Sequence, residues 1–204
     1  MSRCVTDLLL SLALLWAAVV PCLAAAPGNI VNGFQPRMIG TSDGLPSDNV
    51  QQVFQDSEGY MWFATRNGLS RYDGFGMEVF KSDIRNGDLL TNNSITCLAE
   101  DSMNRVWIGT PDGLNMLDKR TARLKKIRPR ALYNNPVSAI IATRCGRVLL
   151  GTDQGLYEYF PERDSCALVT RQMTGDVMPQ TSVKSLLEDS RGNIWIGTWN
   201  EGLY

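Results

Sequence analysis

The sequence contains no histidine. Without an imidazole the chain cannot build a Ser-His-Asp triad, a histidine-ligated zinc centre or a phospho-accepting histidine. An excess of one charge is also absent, since 20 Lys and Arg residues stand against 21 Asp and Glu residues. Such a balance creates no global field for nucleic acid or an anionic membrane. We therefore expect no nucleic-acid partner, no cofactor and no metal site.

Long hydrophobic runs are confined to the N-terminus. Residues 8–20 are apolar apart from Ser11, and they lie between Arg3 and a Pro-containing, alanine-rich stretch. A membrane span needs about 20 apolar residues, so this shorter run predicts a cleaved signal peptide over residues 1–26, with an uncleaved anchor as the alternative. The remaining chain is then expected to be extracytoplasmic, in the periplasm.

Cysteine is scarce in the expected mature chain. Cys4 and Cys22 fall within the predicted signal peptide, which leaves Cys97, Cys145 and Cys166. Three thiols cannot all pair within one chain, and no C-x-x-C motif is present. The pattern therefore predicts neither a disulfide framework nor a cysteine metal site.

One pattern occurs four times in the rest of the chain. Its units begin near Val50, Ile95, Val137 and Val183, at intervals of 45, 42 and 46 residues. A large apolar residue recurs at the same intervals in each unit, as Trp62, Trp107, Leu149 and Trp195. Because the interval is shared, the whole unit repeats and these residues are expected to be buried packing positions.

The residues of each unit predict strands joined by tight turns. Asp56, Asp101 and Asp189 can accept backbone N–H bonds across the first turn, and Thr143 takes this place in the third unit. Gly59 and Gly192, with Asn104 between them, follow three residues later, where a left-handed backbone is needed. A Gly-Thr or Ala-Thr pair, which includes Gly151, leads to a second turn.

Four antiparallel strands in about 44 residues are typical of one β-propeller blade. We therefore predict an all-β fold of propeller blades over residues 50–204, preceded by a leading segment at 27–49. The fourth unit stops halfway, so the predicted ring is incomplete. An open β-solenoid or a β-sandwich is the alternative.

The string D-x-x-G-x-x-W-x-G-T-x-x-G-L-x-x-Y resembles the two-component regulator propeller repeat, found in the periplasmic sensor region of hybrid histidine kinases. The stretch from Thr41 to Val50 is similar to the start of that family's first blade. The resemblance covers most of residues 34–204.

The resemblance implies a non-catalytic sensor segment at the N-terminal end of an inner-membrane receptor. It also implies an oligosaccharide ligand, a homodimer of the full-length receptor and an intracellular kinase or other output beyond a membrane span. A secreted propeller glycosidase or lyase, or a scaffold without a ligand, is the alternative.

Two local motifs are candidate sites. The G-x-S-x-G match at Ser42 lacks a histidine base and repeats the pattern of Ile108 to Leu114, which identifies it as part of the repeat. Seven cations lie between Lys119 and Arg130. They are a candidate patch for an acidic saccharide, centred on Arg123, Lys126 and Arg128, or else a solvated outer strand.

Overall fold

A computed structural model describes residues 36–82, 90–170, 175, 178–179 and 181–204. The predicted signal peptide lies outside these residues. The chain divides into two units, Met1–Met38 and Ile39–Tyr204, and the elements described below all belong to the second unit. None of the helical turns in the described part of the chain could cross a bilayer.

The first repeat folds into one antiparallel sheet in the order β1-β2-β3-β4. Its strands are β1 (Val50–Gln55), β2 (Met61–Thr65), β3 (Gly68–Tyr72) and β4 (Met77–Phe80). Tight turns join them because polar and glycine-containing stretches separate runs of β-forming residues. A short 3-10 turn at Thr41–Asp43 precedes the sheet.

The second and third repeats form equivalent four-stranded sheets. The second contains β5 (Cys97–Glu100), β6 (Arg105–Thr110), β7 (Gly113–Asp118) and β8 (Arg123–Ile127). The third contains β9 (Val137–Ala142), β10 (Val148–Thr152), β11 (Gly155–Phe160) and β12 (Ser165–Leu168). A 3-10 turn at Arg130–Leu132 lies between these two sheets along the chain.

The fourth repeat contributes a hairpin of β13 (Val183–Glu188) and β14 (Ile194–Thr198). An isolated bridge from Gly197 to Leu203 begins a third strand. The prediction of an all-β chain of four-stranded antiparallel blades is therefore confirmed, and the described sheets do not close a ring.

Consecutive sheets stack face to face, with their first strands in contact. We call the face that carries Trp62 and its equivalents the forward face, and the opposite face the rear face. Trp62 of the first sheet packs in one cluster with Leu98 and Ile108 of the second. Trp107 packs likewise with Ile140 and Leu150 of the third sheet. The forward faces of the first three sheets are thus each covered by the rear face of the next sheet.

The turns divide between two edges of the stack. The lower edge contains the first and third turns of each sheet, including the Asp56, Asp101, Thr143 and Asp189 positions. The upper edge contains the second turns and the described residues that directly precede β1, β5, β9 and β13. This division follows from antiparallel order, since successive turns alternate between the two ends of a sheet.

Candidate functional site

The repeated aspartates organise the first turn of three sheets. Asp56 Oδ1 accepts the backbone N–H groups of Glu58 and Tyr60, both at 3.0 Å. Its second oxygen, Oδ2, accepts the Trp62 indole N–H at 2.9 Å. Asp101 bonds Trp107 at 2.7 Å and Asp189 bonds Trp195 at 3.1 Å through the same atom. The carboxylate therefore joins the turn to the residue that fills the interface.

The third sheet lacks both partners of this bond. Thr143 replaces the aspartate, and its Oγ1 accepts the Arg147 backbone N–H at 3.0 Å. Leu149 replaces the tryptophan and has no N–H to donate. The Thr143 hydroxyl thus accepts the backbone bond of the turn. An aspartate at this position would have a second carboxylate oxygen with no indole N–H to bond, because Leu149 has none. The paired replacement indicates that the Asp and the Trp act together in the structure of the turn.

Glycine occupies positions where a side chain would be strained or would collide. Gly59 and Gly192 have φ angles of 91° and 86°, and Asn104 adopts the same left-handed region at 58°. At Gly151, a Cβ would lie 2.7 Å from a methyl carbon of Val183 in the next sheet. These residues determine turn shape and sheet spacing.

Trp195 differs from the burial expected of its position. Trp62, Trp107 and Leu149 are buried, whereas Trp195 is 44% exposed. In the described chain no further sheet follows β14 to cover its forward face. Trp195 keeps the same bond to its aspartate, so the turn itself has the same geometry. Trp195 is therefore more exposed because no described sheet packs on it.

Lys119 links the first and second sheets at the lower edge. Its Nζ lies 2.5 Å from Glu100, 3.2 Å from Asp56 and 3.4 Å from Glu58, and its side chain is only 2% exposed. Burial opposes its charge, but the bonds to Glu100 and Asp56 raise the pKa of Lys119 above its usual value. Burial likewise acts against the Asp56 carboxylate, yet bonds from Trp62 and Lys119 lower its pKa.

The structure brings part of the predicted basic patch together. Arg123 and Lys126 lie on β8, where they line one surface cleft together with Lys125. Arg128 follows the end of β8 at the upper edge, where its Nη2 donates to the Thr91 carbonyl at 2.9 Å. Lys119 is buried in the ion cluster described above. Arg128 and Lys119 are therefore separate from that cleft, and recognition of an acidic saccharide by Arg123 and Lys126 stays a prediction.

A cleft opens at the upper edge beside the loop that joins the second and third sheets. It has a volume of about 180 Å³ and is lined by Asp112, Arg128, Pro129, Leu132, Tyr133 and Asn134. Leu132 is buried, whereas Tyr133 is 75% exposed. The cleft thus combines an apolar base, an exposed aromatic ring and polar groups of both charges.

Neighbouring bonds hold the polar groups of this cleft in place. Asn92 donates to Asp112 Oδ2 at 2.8 Å, and Arg128 is held by Thr91. Asn134 has a φ of 52°, a left-handed turn conformation that asparagine adopts more readily than most residues other than glycine. We take this cleft as the candidate functional site.

The serine in the G-x-S-x-G match has no catalytic surroundings. Ser42 lies in the 3-10 turn before β1, and its Oγ contacts only the neighbouring Asp43 carboxylate, at 3.4 Å. A nucleophile elbow instead places serine between a strand and a helix, with a histidine nearby. Within the described residues, the three remaining cysteines are free, and Cys145 alone among them is exposed.

The upper edge contains a repeated position that the sequence analysis did not identify. Leu45, Leu90 and Leu132 are buried five residues before the start of each unit, at Val50, Ile95 and Val137. The sequence contained a signal for this position, because each leucine is followed within two residues by a polar residue. The first of these leucines, Leu45, lies within the predicted leading segment, 27–49.

Comparison with family models supports the repeat assignment. The two-component regulator propeller model matches residues 44–67, 89–112 and 178–200, starting at or just before the recurring apolar position. The third repeat, which contains Thr143 and Leu149, is not among the matches. No curated protein matches the chain.

Solved structures share the fold. An extracellular domain of a hybrid two-component system from B. thetaiotaomicron is 25% identical, with a TM-score of 0.68. The alignment covers 81% of this chain and 22% of that one. A second such domain from B. thetaiotaomicron is 19% identical, with a TM-score of 0.53, and the alignment covers 82% of this chain and 30% of that one.

A third structure has a different activity. The virginiamycin B lyase from Staphylococcus aureus is 10% identical over 76% of this chain and 51% of its own, with a TM-score of 0.58. This likeness is one of fold alone. By contrast, the family model and the first receptor domain both come from two-component regulatory proteins. The first, second and fourth repeats of this chain therefore match the two-component regulator propeller family.

Proposed function

We propose that this chain is a ligand-sensing, non-catalytic part of the extracytoplasmic region of a bacterial two-component receptor. The observation that carries the proposal is the occurrence of three matched regulator propeller repeats in a chain whose first and second sheets are complete. The chain spans about a fifth of the length of the receptor domain it resembles, 22% by alignment. We therefore propose a signal output for the larger protein and not for this chain.

The predicted signal peptide agrees with an extracytoplasmic location. The structural relative is itself an extracellular domain of a hybrid two-component system. We propose a periplasmic location for this chain and attachment to the inner membrane through another part of the receptor.

Chemistry favours sensing over catalysis. One related lyase structure is described as a catalytically inactive histidine-to-alanine variant, and the present chain contains no histidine. Asp112 and Arg128 in the upper-edge cleft are each engaged by a neighbouring residue. Such groups suit recognition, because they are oriented before a ligand arrives.

We propose that the upper-edge cleft binds one ring of an oligosaccharide. Pockets that enclose a whole drug-sized ligand measure roughly 300 to 1,000 Å³, so a cleft of about 180 Å³ holds only part of a larger molecule. Tyr133 offers a flat apolar surface, while Asp112 and Asn134 offer hydrogen bonds to hydroxyl groups. Arg128 would add charge-assisted bonds to an acidic sugar.

Calorimetry with a panel of neutral and acidic oligosaccharides tests this function. We expect at least one member to bind the chain, and Tyr133→Ala to weaken that binding by about tenfold or more, which corresponds to 1.4 kcal/mol. Phe75→Ala is the matched control, because Phe75 is an exposed aromatic residue in the third turn, at the lower edge.

Arg128→Gln separates the two ligand classes. Its effect should be large for an acidic oligosaccharide and small for a neutral one. Binding that Phe75→Ala reduces and Tyr133→Ala leaves unchanged would contradict the site. Failure of the whole panel to bind would contradict the proposed ligand class.

A further inference from the structure

Two opposite charges line the upper-edge cleft without pairing with each other. Asp112 and Arg128 both contribute to its wall. No ion pair in the described chain joins the Asp112 carboxylate to the Arg128 guanidinium. Each group instead bonds a neutral partner, since Asp112 Oδ2 accepts the Asn92 amide and Arg128 donates to the Thr91 carbonyl. Neither charge is therefore balanced by a described residue.

Adjacent residues of one loop fix the spacing of the two charges. Thr91 holds Arg128, and Asn92 holds Asp112. Thr91 is itself buried, and its backbone N–H donates to Asn115 Oδ1 at 2.8 Å. The Asn115 amide donates in turn to the Thr91 hydroxyl at 2.9 Å. Because Thr91 is anchored in this way, both charges are held in place before a ligand arrives.

The repeat does not need this pair of charges in order to fold. The equivalent residues of the first and third repeats are Asn67 with Lys81 and Gln154 with Thr170. Neither repeat has a carboxylate at the first position, yet both form complete four-stranded sheets. The charged pair is therefore a local feature of the second repeat, and it is available for recognition.

We propose that the upper-edge cleft selects an oligosaccharide that carries a free ammonium group and a carboxylate within one disaccharide unit. This inference rests on the proposed sensing function and names the class of its ligand, which joins an amino sugar with a free amine to an acidic sugar. The ammonium group bonds Asp112, the carboxylate bonds the remaining N–H groups of Arg128, and a ring face packs on Tyr133.

The cost of covering an unpaired charge explains the selectivity. A ligand that fills the cleft removes water from both charges, and a charge that loses water without gaining a partner is costly. A neutral saccharide leaves Asp112 and Arg128 without a counter-charge. An acidic saccharide pairs only with Arg128, and its carboxylate is repelled by Asp112. A ligand with both groups pairs with each charge, and such charge-assisted bonds are about twice as strong as neutral ones.

Calorimetry with four related disaccharides tests the inference. The first joins glucuronic acid to glucosamine with a free amine. The second is its N-acetylated form, which keeps the carboxylate and loses the ammonium group. A glucosamine disaccharide with free amines lacks the carboxylate, and cellobiose lacks both groups. We expect the wild-type chain to bind the first at least about tenfold more tightly than each of the other three.

Two variants assign each preference to one residue. Asp112→Asn should bind the free-amine and N-acetylated acidic disaccharides with equal affinity. Arg128→Gln should bind the free-amine acidic disaccharide and the glucosamine disaccharide with equal affinity. Both side chains are exposed, so circular dichroism should show an unchanged fold. Lys81→Gln is the matched control and should keep both preferences, because Lys81 is the exposed cation at the equivalent position of the first repeat.

The outcomes separate this inference from the proposed function. Equal affinity of the wild-type chain for the free-amine and N-acetylated forms would overturn the selectivity, although the cleft would still bind oligosaccharides. Preferences that survive both Asp112→Asn and Arg128→Gln would also overturn it. Binding of other oligosaccharides but of none of these four would overturn the inference alone. Failure of every oligosaccharide to bind would overturn the proposed function as well.

Discussion

At the residue scale, the hydrogen bond between aspartate and tryptophan joins each turn to the interface beside it. Asp101 bonds Trp107 in the buried contact between the second and third sheets. Asp189 makes the same bond to Trp195, which is half-exposed. The two sites share one geometry and differ in burial, so they form a matched pair.

Replacing each tryptophan by phenylalanine measures this difference. Trp107→Phe should lower the free energy of unfolding by about 1 to 3 kcal/mol, because it leaves a buried acceptor without its indole donor. Trp195→Phe should cost less than about 1 kcal/mol, because water can replace the donor at an exposed site. Urea unfolding measures both, and equal losses would contradict a role for burial.

At the element scale, the lower-edge turns hold neighbouring sheets together. The Glu100 carboxylate accepts the Ser57 backbone N–H at 2.7 Å and also contacts Lys119. The Glu188 carboxylate accepts the Arg144 backbone N–H at 2.9 Å between the third and fourth sheets. Ala142 occupies this position in the third sheet and cannot make such a bond. This carboxylate bond therefore occurs at two junctions and is absent from the one between the second and third sheets, where Thr96 Oγ1 donates to the Val137 carbonyl instead.

Removing the buried lysine tests the first of these junctions. Lys119→Met should lower the free energy of unfolding by about 3 kcal/mol, because it leaves the carboxylates of Asp56 and Glu100 close together without their cation. Lys125→Met is the control. Lys125 pairs with Asp164 at an exposed site, where a lost ion pair costs at most about 1 kcal/mol. Similar losses for the two variants, measured by urea unfolding, would contradict the junction.

The sequence predicted these elements well where a repeat carried the signal. The phase of Trp62 and Trp107 predicted buried hairpin positions, and the turn aspartates predicted acceptors of backbone N–H bonds. The second bond of each aspartate, to the indole, was missed because the turn pattern explains only backbone groups. The ion cluster of Lys119 was also missed, since its partners Asp56 and Glu58 lie in another sheet and about 60 residues earlier.

The basic segment was grouped by its charge without strand geometry. Arg123 and Lys126 line one cleft on β8, whereas Arg128 lies beyond the end of that strand at Ile127. The sequence did not show where β8 ends, so it did not separate Arg128 from the other two. The cleft around Tyr133 could not be predicted, because it depends on how a loop folds against the Asp112 turn.

At the scale of the whole molecule, the same contact between a forward face and the next rear face recurs along the stack of sheets. Antiparallel order places the second turn of each sheet at the upper edge. The two residues at the tip of each second turn differ between repeats, as Arg66-Asn67, Pro111-Asp112 and Asp153-Gln154, while the flanking Thr and Gly persist. Such variation is expected of a scaffold that carries a binding site on its loops. The upper-edge cleft is therefore the feature on which the proposed sensing function depends most directly.

Hydrogen exchange with mass spectrometry tests this central claim most directly. An oligosaccharide that binds in calorimetry should slow exchange in residues 128–134 and in the turn at 110–113, and should leave the lower-edge turns unchanged. Protection confined to the lower edge, or present equally in the Tyr133→Ala chain, would contradict a ligand site at the upper edge.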